Sequence, residues 1–271
     1  MDNLLLNRFS VIGAGNLGVN LVAALVKQGY TLKYIYKKSK FPHLASYLEQ
    51  DIDKVVAESD FIFICTQESK IPGVAQLIAD STTPEGTIFY HTANALNSEE
   101  LAPIARCGGK VASFSPLQTF PGYQENNDLL SGVYFLAEGD VSALALAGEI
   151  ARRLQAHLVP VKPEEKIYFH IAGVIASNFL ISLLKFSERQ LTKVSVAGSG
   201  GADDRDIGKL DINVLLPLIK QTLKNVESVG VEASLTGPFK RKEMGIVNKH
   251  LEYLKGDEAT LYKALTAFLA T

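Results

Sequence analysis

Charge of one sign is what this sequence most lacks: 27 Lys and Arg stand against 29 Asp and Glu in 271 residues, a formal net charge of -2. Such a balance leaves no electrostatic footprint for nucleic acid or an anionic membrane surface, so the expected partner is a small molecule. Cysteine is also scarce. Cys65, in an apolar strand-like run, and Cys107, beside Gly108-Gly109, lie far apart without metal-like spacing. No metal site is expected, and reduced thiols in a cytoplasmic protein are the default. A basic leader is missing as well: Met1 to Arg8 holds three leucines but no long apolar stretch, so no signal peptide is expected. The most apolar run, Ile171 to Leu184, is broken by Ser177, Asn178 and Ser182 and reads as too short and too polar to span a bilayer. What is present, 47% hydrophobic against 21% charged residues, suffices for a sizeable core and two domains.

The densest information lies near the start, where Phe9-Ser10-Val11-Ile12 runs directly into Gly13-Ala14-Gly15-Asn16-Leu17-Gly18. A strand candidate, Gly-x-Gly-x-x-Gly and then a helical pattern form a dinucleotide loop: Gly13 for the tight turn, Gly15 for close approach to a pyrophosphate, Gly18 for helix packing. Leu17, Leu21 and Leu25 give the following helix an apolar stripe, and Gly29 marks its end.

Further strands are expected at Thr31 to Tyr36, Phe61 to Cys65, Thr87 to Tyr90, Lys110 to Phe114, Gly132 to Ala137 and Leu158 to Val161. Helical patterns at His43 to Gln50, Ile71 to Ala79, Ser98 to Ala105 and Ala143 to Gln155 separate most of them. Strands alternating with helices predict an α/β fold, a Rossmann-type, doubly wound and mainly parallel sheet ending near Lys162. From Pro163 the pattern is helical throughout: Pro163 to about Gln190, Asn213 to Gly230 with Pro217 in the first turn, Glu243 to Lys255, and Ala259 to Ala270 capped by Asp257. The expected domains are therefore 1–162, dinucleotide-binding, and 163–271, all-α. Ala197 to Gly208, rich in glycine and aspartate, reads as a surface loop.

The cofactor can be narrowed at the end of the second strand. An NAD-selective loop places an acid there for the ribose 2′-OH, but this chain has Tyr36-Lys37-Lys38-Ser39-Lys40. Lysines and a serine suit a 2′-phosphate, which favours NADP(H). Cys65-Thr66-Gln67 and His91-Thr92-Ala93-Asn94 follow two parallel strands at their carboxyl ends, so Thr66, Gln67, His91 and Thr92 should line the nicotinamide side.

On the helix from Pro163, a period of 3.6 aligns Lys166, His170, Gly173 and Ser177, with Asn178 flanking. Ionisable and hydroxyl groups in one line of an apolar helix fit a substrate face: Lys166 or His170 to deliver a proton, Gly173 to admit a ligand, Ser177 or Asn178 to orient it. Ser113 to Pro121 follows a strand and ends in a rigid turn that could close the pocket, and Arg241 could clamp a carboxylate.

These pieces together carry a resemblance. Gly-Ala-Gly-Asn-Leu-Gly (13–18), His91-Thr92-Ala93-Asn94, Pro116-Leu117-Gln118-Thr119-Phe120, Gly132-Val133-Tyr134-Phe135, Glu138-Gly139-Asp140, Lys166 to Leu180 and Leu235-Thr236-Gly237-Pro238 resemble a family of NADP-dependent oxidoreductases. That family pairs a Rossmann-like domain with a C-terminal helical domain of unknown function. It is similar in architecture to pyrroline-5-carboxylate reductase, ketopantoate reductase, prephenate dehydrogenase and the β-hydroxyacid dehydrogenases. The resemblance implies a helical domain of a kind that often dimerises and a lysine, histidine or asparagine of its first long helix near the nicotinamide. Two departures stand out: Ser115 replaces the histidine usual before Pro-Leu-Gln, and Arg241-Lys242-Glu243 replaces Arg-Gly-Asp.

The expected function is hydride transfer between NADP(H) and a small carbonyl, imine or hydroxy-acid substrate in a cleft between the domains, by a homodimer. The alternative is a non-catalytic NADP(H)-binding sensor or partner protein.

Overall fold

Strand residues that alternate between two apolar faces build the sheet. The computed structural model describes residues 6–39, 41–81, 85–123, 128–194 and 210–269. The glycine- and aspartate-rich segment 197–208 and Lys40 lie outside them.

In chain order the first part forms β1 (Arg8–Ala14), α1 (Asn16–Lys27), β2 (Thr31–Ser39), β3 (Leu48–Glu49), α2 (Ile52–Ala57), β4 (Phe61–Ile64) and α3 (Ile71–Ser81). There follow β5 (Ile88–His91), α4 (Ala102–Arg106), β6 (Lys110–Pro116), β7 (Tyr134–Gly139), α5 (Val141–Arg153), β8 (His157–Pro160) and α6 (Lys166–Val174). One eight-stranded sheet results, in the order β3-β2-β1-β4-β5-β6-β7-β8, parallel except between β6 and β7. The chain reverses direction across β1, between β2 and β4, as a doubly wound sheet requires.

Period two decides the layers. Phe9, Val11, Phe61, Phe63, Ala112 and Phe114 face α1 and α5, whereas Ile12, Ile62, Ile64 and Val111 face α2, α3 and α4. On the first face the rings form a row across the strands: Phe61 to Phe63 at 5.8 Å between centroids, Phe63 to Tyr90 at 5.1 Å, Tyr90 to Phe114 at 5.7 Å, Phe114 to Phe135 at 4.4 Å.

Two expected helices differ. His43 to Gln50 is a single 3-10 stretch, Pro42–Tyr47, followed by the edge strand β3, whose Leu48 and Glu49 pair with Ile35 and Tyr36. The stretch at Ser98 begins as a 3-10 turn capped by Asn97, whose side chain accepts from the Glu99 N–H at 3.1 Å, and becomes α4 only at Ala102. Glu138, nearly buried, takes the Ser98 N–H and hydroxyl, both at 2.7 Å.

After α6 comes a π-turn, Ile175–Phe179, and then α7 (Leu180–Leu191), α8 (Leu216–Val229), α9 (Gly237–Lys240), α10 (Met244–Tyr253) and α11 (Gly256–Leu269). Pro217 sits in the first turn of α8, where its missing N–H costs nothing. Asp257 lies within the first turn of α11 and not at its cap. The helical run Pro163–Leu191 is 29 residues, long and apolar enough to cross a membrane by length and composition, so the expectation of a run too short and too polar was mistaken. Serines inside it turn their hydroxyls onto the helix's own carbonyls, as Ser182 does onto Asn178 O at 3.2 Å, which mutes their polarity. The chain divides into two compact units, Met1–Ser177 and Asn178–Thr271, so α6 belongs with the sheet. Within the second unit, Lys193 pairs with Glu258 at 3.0 Å and His250 Nδ1 bonds the Tyr262 hydroxyl at 2.7 Å.

Candidate cofactor and active site

The loop Gly13 to Gly18 joins β1 to α1. Gly13 has φ +96°, and a Cβ there would lie 2.9 Å from Thr66 Cγ2 and 3.0 Å from the Cys65 backbone; at Gly18 it would meet Gly13 O at 2.5 Å. Both positions exclude a side chain, one by conformation and crowding, the other by crowding alone. Gly15 differs, since nothing lies within 4 Å of where its Cβ would be. As the N-cap of α1 it offers no side chain, and the first helical bond runs from Val19 N–H to Gly15 O. The preceding N–H groups of Asn16, Leu17 and Gly18 are thus presented at the positive end of a 12-residue helix, an arrangement suited to phosphate oxygens.

The side chain of Asn16, exposed on this loop, donates to Phe120 O at 3.0 Å, and that of Asn20, one turn later, to Gly122 O at 2.9 Å. The segment after β6 is thereby strapped along α1, and Phe120 packs with Leu17 and Leu21. Ala14 is buried in the same core. Tyr36 points into the opposite core with Ile12 and Val55. Lys37, Lys38 and Ser39 complete β2 beside the loop, with Ser39 in register with Ala14.

At the carboxyl ends of β4 and β5, the sequence-predicted residues separate by role. Gln67 is exposed and Thr66 half-buried, its Oγ1 enclosed and without a partner among the described residues. Thr92 bonds the Cys65 thiol, whose pKa burial pushes up to about 12. His91 is fully buried. Its Nδ1 accepts from the Ala93 N–H at 3.3 Å, so the proton resides on Nε2, which donates to Asn97 O at 2.8 Å. Burial, then the nearby charge of Lys166, lowers its pKa to about 4. His91 is a neutral brace for the strand-end loop.

Lys166 opens α6 and is only 1% exposed. Its Nζ contacts Ala93 O at 3.3 Å, Ser115 Oγ at 3.3 Å and Ser113 Oγ at still closer range. An ammonium has three donors, and these three neutral oxygens take them all. No carboxylate touches it among the described residues, and burial lowers its pKa to about 8. Ser113 and Ser115 share one face of β6 and are both fully buried. Two serines at i and i+2 in an apolar strand were a legible sign of a polar pocket; that a lysine 51 and 53 residues later fills it was not.

Further along α6, His170 is half-buried and makes no hydrogen bond among the described residues, and nothing stands within 4 Å of a Cβ on Gly173. Ser177 donates to Gly173 O at 2.6 Å. Asn178 is exposed and falls in the second unit. The π-turn interrupts the 3.6 period at Ile175, so the stripe is regular only from Lys166 to Gly173. Arg241 already clamps a carboxylate of its own chain, Glu243, at 2.6 Å and 3.1 Å. Among the described residues no three His, Cys, Asp or Glu side chains gather as metal ligands.

Residues 133–268 match the model of a domain of unknown function (DUF2520), and residues 5–116 that of a Rossmann-like domain. Solved structures of similar fold include a Bacteroides fragilis protein described as an NADP oxidoreductase, with TM-score 0.78 and 23% identity over 97% of this chain and 98% of that one. The Thermotoga maritima protein TM1727 gives TM-score 0.68 and 24% identity over 96% of each chain. A reductive aminase from Aspergillus terreus, in complex with NADPH and ethyl-5-oxohexanoate, gives TM-score 0.69 and 13% identity over 97% of this chain and 93% of its own. At these identities the likeness is one of fold. No curated protein matches the chain.

Proposed function

The chain belongs to the DUF2520 family, and from that premise we propose that it is an NADP(H)-dependent oxidoreductase acting on a small carbonyl, imine or hydroxy-acid substrate. The observation that carries this reading is a coincidence within one compact unit: an uncapped glycine loop at the head of α1, and a buried amine of pKa about 8 beneath the ends of β5 and β6. The fold neighbours that bind NADPH support the same cofactor.

Gly13, Ala14, Gly15, Asn16, Leu17 and Gly18 would hold the pyrophosphate, Lys37, Lys38 and Ser39 the 2′-phosphate, and Thr66, Gln67 and Thr92 the nicotinamide half. The cofactor, when bound, supplies or removes the hydride. Lys166 does not touch the reacting atoms; its buried positive charge lowers the cost of the negative charge that develops on a carbonyl oxygen accepting hydride. His170, whose ring makes no hydrogen bond among the described residues, delivers the proton to that oxygen, or to the nitrogen of a reduced imine. Ser177, whose hydroxyl donates to Gly173 O, and Asn178, which falls in the second unit, lie in the π-turn and are off this stripe.

Because the chain contains no Trp, enhancement of NADPH emission on binding is read without tryptophan background. NADPH should bind more tightly than NADH, and the Lys37→Ala, Lys38→Ala double variant should lose that preference; equal or tighter NADH binding defeats the assignment. In a screen of ketones and cyclic imines, His170→Gln should slow turnover about 10²- to 10⁴-fold while leaving NADPH affinity and Tm unchanged.

We infer also that two chains associate through the helices. Ile171 and Ile175 are each about half exposed and Tyr168 more so, and apolar residues in one run of helix call for a protein cover. The unbridged Cys65 and Cys107 are in keeping with a cytoplasmic setting.

A further inference from the structure

The loop after β5 has its polar groups almost fully assigned. Thr92 N–H donates to Ile64 O at 3.3 Å, Ala93 N–H to His91 Nδ1 at 3.3 Å, and Ala93 O accepts from Lys166 Nζ at 3.3 Å. Asn94 Nδ2 donates to Pro116 O at 3.0 Å. A carbonyl can only accept, so this bond fixes which end of the amide is nitrogen and which is oxygen. The oxygen, Oδ1, is buried and has no partner among the described residues.

An enclosed acceptor left without a donor is costly, and such atoms are rare enough that their positions carry information. Four occur among the described residues. Asn7 Oδ1 and Tyr30 Oη precede β1 and β2, at the amino ends of the strands. The other two, Thr66 Oγ1 and Asn94 Oδ1, stand on adjacent loops at the carboxyl ends of β4 and β5, where the nicotinamide half of a dinucleotide lies in this fold. That half presents an amide NH₂, a donor of the kind Asn94 lacks.

We propose that Asn94 orients the nicotinamide, its Oδ1 accepting a hydrogen bond from the carboxamide NH₂; the proposal rests on the NADP(H) reading above. The brace formed by His91, Lys166 and Pro116 keeps the acceptor in place, so the ring presents one fixed face to the substrate. Asn94 is thus a positioning residue that decides which side of the ring exchanges hydride.

Binding calorimetry with NADP⁺ and with its 3-acetylpyridine analogue, in which a methyl group replaces the NH₂, tests this without any substrate. The intact protein should bind the analogue about tenfold more weakly, the loss of one hydrogen bond to an enclosed acceptor. Asn94→Ala should bind both molecules alike, and Asn94→Asp, which retains an acceptor, should keep the preference for NADP⁺. Equal affinities in the intact protein, a result that needs no variant to fold, overturn the role of Asn94 and leave the cofactor assignment standing. So does a preference that survives in Asn94→Ala. Failure to bind NADP⁺ at all overturns the cofactor assignment and the role of Asn94 with it.

Discussion

At the scale of single residues, the site is defined by two groups whose charged forms the fold resists. His91 is held neutral, its pKa lowered from 6.5 to about 4 by burial and then by the charge of Lys166. Between those values the unfolded chain binds a proton that the folded chain refuses, so stability must fall as pH drops from about 6.5 toward 4. In His91→Asn that part of the acid slope should be absent from thermal melts; an identical slope in both proteins would mean that His91 titrates normally. Lys166 works in the alkaline range. Its pKa is lowered from 10.5 to about 8, so the unfolded chain binds the extra proton between these values and stability rises with pH across that window. Lys166→Met should lack the rise, which melts at pH 7.5 and 10 would read. Neither effect was legible in the sequence. Lys166 stood out as a polar residue in an apolar helix, but its oxygens come from residues 51 to 73 positions away, and no local pattern encodes that meeting.

Elements were legible where their periodicity was strong. The strands with alternating aromatics and the helix after the glycines follow the apolar pattern, because the same side chains that set the pattern fill the two cores. Reading failed where a tertiary partner, and not local preference, fixed the backbone. Leu48 and Glu49 are extended because β2 offers them a free edge, and nothing in their own composition says so. The π-turn was hidden too, since it places one extra residue in a helix whose apolar spacing looks continuous. The row of rings on the α1 face is the element most exposed to test. Phe63 is fully buried, between Phe61, Tyr90 and Phe114. Phe63→Ala should lower unfolding stability by about 3 to 5 kcal/mol in urea denaturation, since it removes the buried area together with the edge contact to Phe61 and the stack on Tyr90. A loss below about 1 kcal/mol would mean that the neighbouring rings collapse into the gap.

For the molecule as a whole, the expected homodimer is the consequence easiest to measure. Sedimentation equilibrium at micromolar concentration should give twice the mass of one chain, and Ile171→Glu with Ile175→Glu should shift it to the monomer without loss of helical signal. A monomer in the intact protein would leave the half-exposed Ile171, Ile175 and Phe179 to some other cover. The α/β class, the helical second part and the glycine loop were all readable before the structure. Where the chain divides was not: α6 is continuous with helix on both sides, and the anchoring of Lys166 under β5 and β6, which ties it to the sheet, has no local signature.

The strap that Asn16 and Asn20 hold along α1 bears on the order in which the chain can fold. Phe120 is 104 residues downstream of Asn16, and Gly122 is 102 downstream of Asn20. A nascent chain leaving the ribosome through β1, α1 and β2 therefore has its nucleotide loop in sequence but not in finished form, and the bare side of α1 waits until β6 and the turn beyond it have been made. Contacts of such long range are entropically late. The nucleotide loop is therefore completed long after it is made, and an emerging polypeptide is without a working dinucleotide grip until the 104 residues from Asn16 to Phe120 have been added.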